Sequence, residues 1–147
     1  MKLTKAEKAM IGGMVEQAKK YLSTSATAEE ITAQFLLLSG AMRLPKDMDS
    51  TSTAQAYMIA LSGISSFAIR QSVFLIICGK AEGFNKTFMP TAPELAVFCR
   101  ELEKNERERI KTAERLLEAE EEPAAHVAIS DERFAVLEKT IEKWKGM

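Results

Sequence analysis

His126 is the chain's single histidine, and the two cysteines, Cys78 and Cys99, are scattered far from it. That scarcity excludes much chemistry. A zinc site needs a cluster of Cys and His ligands, which two separated cysteines do not supply. A Cys–His nucleophile pair needs a histidine held in place, and His126 follows Pro123-Ala124-Ala125, a stretch that reads as a linker. No phosphate-cradling Gly-Lys-Ser/Thr loop is present, and Gly12-Gly13 lies inside a helical apolar stripe. The expectation is therefore a protein that is not an enzyme and holds no metal or cofactor.

Long apolar runs are missing as well. The longest strongly apolar run, Val73 to Cys78, is far short of the roughly 20 residues that span a bilayer. Met1-Lys2-Leu3-Thr4-Lys5 is not followed by an apolar signal segment. A cytoplasmic protein with no membrane partner is expected. One-signed charge is absent too: 20 Lys and Arg against 21 Asp and Glu give a net charge of −1, so nothing draws the whole chain to nucleic acid or anionic lipid. Val73 to Cys78 could form a buried strand, but no second such run exists to pair with it. Both cysteines fall in apolar helical patterns and read as reduced, buried thiols; a disulfide is the alternative that periodicity leaves open.

What remains is helix signal. Thr4 with Glu7 and Thr27 with Glu30 each have the spacing of a capping box. The first opens a stripe of Met10, Ile11, Met14, Val15, Ala18 and Leu22; the second opens Ile31, Phe35 and Leu38, ending near Gly40. Pro45 makes Leu44 to Asp47 a loop. The Ser50 to Thr53 run opens a third helix carrying Tyr57, Met58 and Leu61, broken at Ser62-Gly63. Ser65 or Ser66 caps a fourth, apolar almost all round, as in the buried centre of a bundle. Most of the eight methionines, Met10, Met14, Met42, Met48 and Met58 among them, are expected to fill the core.

The richest stretch is Phe88-Met89-Pro90-Thr91-Ala92-Pro93-Glu94-Leu95-Ala96-Val97-Phe98-Cys99-Arg100. Pro90 pushes Met89 out of helical space. Thr91 and Glu94 form a third capping box, and Pro93 sits in the first turn, where its missing N–H is not needed. Leu95, Phe98 and Leu102 then recur at helical spacing. From Glu103 to Arg109 the stripe fails and the helix reads as polar on every side, until Ile110, Ala113, Leu116 and Leu117 restore an apolar face. This fifth helix is expected to run from Thr91 as far as Glu122. After the linker, Phe134, Leu137, Ile141 and Trp144 form a narrow seam of the kind used between paired helices. The fold expected is all-α: a compact helical bundle over residues 1–102, then a charged helical hairpin over 103–147.

The proline–cap stretch, with its aromatic, second apolar residue, Pro, Thr cap, Glu and closing Phe98-Cys99-Arg100, resembles the helical core of the phage lambda P-type replication proteins. The likeness continues upstream through Tyr57, Ala60, Leu61 and Ile64 and covers residues 53–102. It implies a helicase loader or inhibitor: a phage or prophage protein that binds the replicative DNA helicase of host or phage, the helicase supplying the nucleotide hydrolysis. The motif residues Phe88, Pro90, Thr91, Glu94, Phe98 and Cys99 are expected to build the fold, since capping and burial account for them. The partner surface is expected on Phe134, Leu137, Ile141 and Trp144, with Trp144 as the anchor. The lambda-type proteins continue well beyond this helix, where this chain has only a charged helix, a linker and one short helix.

Two other readings stand beside it. The seam can instead pack onto Leu116 and Leu117 or onto a second copy of the chain, making a homo-oligomeric assembly module, and a phage adaptor for another host protein fits the same residues. Single-stranded DNA is a further candidate ligand, if Arg43, Lys46, Arg70, Lys80, Lys86 and Arg100 converge and Phe84 and Phe88 offer stacking surfaces. Scattered surface cations and core aromatics are the competing explanation.

Overall fold

The computed structural model describes residues 3–119 and 131–145. They form α1 (Lys5–Ser23), α2 (Ala28–Ala41), α3 (Ser50–Leu61), α4 (Ser66–Ile77), α5 (Ala92–Ala119) and α6 (Asp131–Lys145). The fold is all-α. Two isolated bridges, Ser25 with Ser65 and Arg43 with Phe88, are the extended pairings among the described residues.

Most helices start where their caps put them. The Thr4 hydroxyl accepts the Glu7 N–H at 3.1 Å, Thr27 accepts that of Glu30 at 3.2 Å, and Ser65 accepts that of Ala68 at 3.2 Å. Thr91 and Glu94 bond reciprocally, with the Glu94 N–H on Thr91 at 3.3 Å and the Thr91 N–H on the Glu94 carboxylate at 3.2 Å. The start of α3 differs from expectation: its cap is Asp49, just before the Ser/Thr run, accepting the N–H groups of Thr51 and Ser52. The Ser52 hydroxyl and these amides hold the Asp49 carboxyl below its ordinary range. Gly63 (φ 83°) and Gly79 (φ 71°) take the left-handed turns after α3 and α4, which only glycine adopts without strain. Thr91→Ala is expected to remove about 1 kcal/mol, seen as a fall in Tm of about 2–4 °C; an unchanged Tm would mean that the cap does not hold α5.

The chain divides into two compact units, Tyr21–Lys104 and Met1–Lys20 with Asn105–Met147. The division falls within α5, and α1 groups with the C-terminal segment. Periodicity shows which face of α1 is buried and not what buries it. In this second unit α1 buries Ile11, Val15 and Ala18, α5 buries Ile110, Ala113 and Leu116, and α6 buries Thr140 and Trp144. Lys19 of α1 meets Glu114 of α5 at 2.9 Å. Met10, expected in the α1 stripe, is exposed, and so is Met48.

The unit 21–104 is a bundle in which α2 packs against both α3 and α4. Ile31, Phe35, Leu38, Tyr57, Leu61, Ile69, Val73, Ile76, Leu95 and Cys99 form one core. Phe35 meets the edge of Tyr57 with ring centroids 5.2 Å apart. Helices α2 and α4 pack together with their starts side by side. At their starts the Ala26 N–H bonds the Ile64 carbonyl (2.9 Å), the Ser66 N–H bonds that of Thr24 (3.0 Å), and the Ser66 hydroxyl donates to Glu30. Just past the end of α2 the Arg43 N–H bonds the Thr87 carbonyl (2.8 Å) and the Met89 N–H bonds that of Arg43 (2.9 Å), tying α2 to the segment that leads into α5.

Candidate functional site

The proline stretch is an internal joint. Pro90 is buried and its carbonyl accepts the Tyr57 hydroxyl. Burial, with the Glu94 carboxylate second, pushes the Tyr57 hydroxyl well above its ordinary range, so it stays protonated and donating. Leu95, Ala96 and Cys99 face the core; Phe98 is half-buried against Phe84, ring centroids 5.0 Å apart. Thr91 and Glu94 stay at the surface with their side chains committed to the cap. Phe88 departs from this pattern. Its bridge with Arg43 is parallel, and paired residues of two such segments point to one side. Met42 and Met89 therefore turn into the core, while Arg43 and the 43% exposed Phe88 stand outward together. The Asn85 side chain fixes this approach by accepting the N–H groups of Thr87 (2.7 Å) and Phe88 (3.0 Å).

Both thiols are free, but only Cys99 is buried; Cys78, expected inside, is exposed just past the end of α4. The Cys99 S–H donates to Ser72 at 3.2 Å. Burial pushes its pKa up to about 11, which leaves almost no thiolate at neutral pH. Iodoacetamide at pH 8 is therefore expected to alkylate one thiol in the native protein and two in denaturant; rapid labelling of two in the native state would contradict this packing.

The segment expected to be polar all round is not fully solvated. Glu103 and Glu106 are 7% and 2% exposed. Glu103 accepts the Ser65 N–H at 3.1 Å, placing negative charge at the start of α4, where the helix dipole favours it. Glu106 gathers three donors: Lys143 Nζ at 2.8 Å, Trp144 Nε1 at 3.1 Å and the Arg109 guanidinium. Burial alone would raise its carboxyl, but the bonds from Lys143 and Trp144 and the charges of Lys143 and Arg109 outweigh it, and the group is held below its ordinary range. A register visible only in retrospect explains both carboxylates. Ala92, Cys99, Glu106 and Ala113 recur every seven residues, as do Ala96, Glu103 and Ile110, so the glutamates occupy inward positions of one continuous stripe.

This cluster settles where Trp144 lies. It is 9% exposed, with its indole N–H on Glu106. Ile141 is half-buried. Phe134 and Leu137 lie on α6, but their side chains, like His126 and the expected linker around Pro123, fall outside the described residues.

The six cations considered for single-stranded DNA are all exposed. Arg43 and Lys46 follow α2, and Lys80 and Lys86 lie in the loop after α4. Of the two aromatics, Phe84 is spent on Phe98 and is not a stacking surface; Phe88 is available. Among the described residues no group of three or more His, Cys, Asp or Glu is placed to hold a metal, and no helix is long and apolar enough to cross a membrane. Comparison of the chain with protein families, curated proteins and solved structures finds no match.

Proposed function

We propose that this is a non-enzymatic binding protein, a replication accessory of phage type whose partner is a replicative DNA helicase. The observation that carries a binding role is the exposure of large apolar side chains on the helices of the unit 21–104. Leu37, Ile59, Phe74 and Val97 are each more than half exposed. Leu37 and Phe74 lie on two helices that pack together, and a contiguous exposed apolar patch marks an interaction surface. The choice of a helicase rests on the resemblance carried by residues 53–102, in which Pro90, Thr91, Glu94, Phe98 and Cys99 act as structural parts and leave the outer helix faces for the partner.

The test is size-exclusion chromatography of the full chain with purified replicative helicase. Co-elution at low micromolar concentration is the expected result. A chain that elutes alone, as a monomer or as its own oligomer, would overturn the helicase and favour an adaptor or an assembly module. Deleting residues 123–147 is not a clean way to locate the contact, because it strips Lys143 and Trp144 from a buried carboxylate.

A further inference from the structure

Three of the exposed apolar residues, Leu37, Phe74 and Ile77, lie on the adjacent helices α2 and α4. The Glu30–Ser66 contact sets the register of α2 and α4 near their starts. Leu37 and Phe74 each lie about two helical turns beyond it, roughly 10–12 Å along the axis of their own helix. Ile77 lies three turns past Ser66 and returns to the same side of α4. Leu37 is 55%, Phe74 57% and Ile77 41% exposed. Arg70, one turn before Phe74, is exposed on that side, and Arg43 and Lys86 are exposed at the end of the seam, where the loop after α4 meets the end of α2. Glu82 is the acidic residue of that loop; Lys46 and Asp47 further along the α2–α3 loop offset each other. Glu30 closes the opposite end and is already committed to Ser66.

We propose that the α2/α4 seam docks an acidic amphipathic helix of a partner protein, its apolar stripe against Leu37, Phe74 and Ile77 and its carboxylates toward Arg70, Arg43 and Lys86. The proposal rests on the binding role above and gives it a surface. Charge selects the occupant. A second copy of the chain on this face would bring like cations together, which costs affinity. Leu37 and Ile77 offer a nucleic-acid base nothing to stack on, which leaves Phe74 as a single platform in a stripe that is otherwise aliphatic. A helix with leucines at i, i+3, i+4 and i+7 fits a two-helix seam.

The test uses helical peptides that share this leucine stripe and differ only in flanking charge. Fluorescence anisotropy with the full chain is expected to show binding of the glutamate-flanked peptide and at least tenfold weaker binding of the lysine-flanked one. Leu37→Ser with Phe74→Ser should weaken the acidic peptide at least tenfold with the circular dichroism unchanged. Arg70→Glu with Lys86→Glu, which touches no apolar contact, should reverse the charge preference and keeps the test valid if the serine variant does not fold. Equal binding of both peptides, binding of neither, or a native dimer that Phe74→Ser dissolves would each overturn the proposal. Helicase association that survives the serine variant would discard the seam and leave the proposed function standing. Peptide binding without helicase association would keep the seam and discard the helicase.

Discussion

Glu106→Ala is expected to lower stability by about 3 kcal/mol, near the lower end of what breaking a buried ion pair costs. The substitution leaves the Trp144 N–H without its acceptor in a buried site and removes the counter-charge from Lys143, whose side chain is 28% exposed. Lys143 can turn to water; the indole cannot. The chain holds one tryptophan, so its fluorescence reports this site alone. The expected readout is a red-shifted emission in the variant and an earlier thermal transition followed at Trp144. Emission identical to the wild type would mean that Glu106 does not hold α6.

The same carboxylate sets an acid limit. Its folded pKa lies below its unfolded value of about 4.3. Ionised Glu106 therefore contributes its full stabilisation above about pH 5, and that contribution is lost as pH falls through the depressed folded value. A Trp144 fluorescence titration should show a transition below about pH 4, and Glu106→Gln should remove the part that depends on this group. A transition unchanged in the glutamine variant would assign the acid limit to other carboxylates.

Leu95→Ala is the second large effect, with an expected loss of about 3–4 kcal/mol from the transferred methyl groups and the cavity left behind. Leu95 has no exposed surface and lies in the core with Tyr57, Ile69 and Cys99. Val97, two residues on, is 57% exposed, and Val97→Ala should shift Tm by no more than about 1–2 °C. Urea unfolding followed by circular dichroism distinguishes the two. Similar midpoints for both variants would show that the proline stretch does not seat α5 in this core.

Much of this was legible from the residues. The capping boxes at Thr4, Thr27 and Thr91 and the breaks at Gly63 and Gly79 follow from bonds and dihedral preferences within a few residues. The Asp49 cap was hidden by the Ser/Thr run beside it, any member of which can serve. Phe88 reads both as a part of the fold and as a stacking surface, and its pairing with Arg43 leaves it 43% exposed. Glu103 and Glu106 were invisible to a reading that equates charge with solvent. The seven-residue register through Ala92, Cys99 and Ala113 was the signal that could have found Glu106, but only its partners on α6 make burial affordable.

The sequence by itself determined that the chain is helical, where most of its helices start and which of them carry a strongly apolar face. Those properties are local, and a side chain within four residues decides each. Tertiary structure alone decided that α1 joins the C-terminal segment, that Trp144 turns inward onto Glu106, and that Leu37 and Phe74 stay exposed on two helices that pack together. Burial depends on what lies opposite a side chain, and what lies opposite comes from far along the chain, as Ser66 does for Glu30 and Lys143 for Glu106.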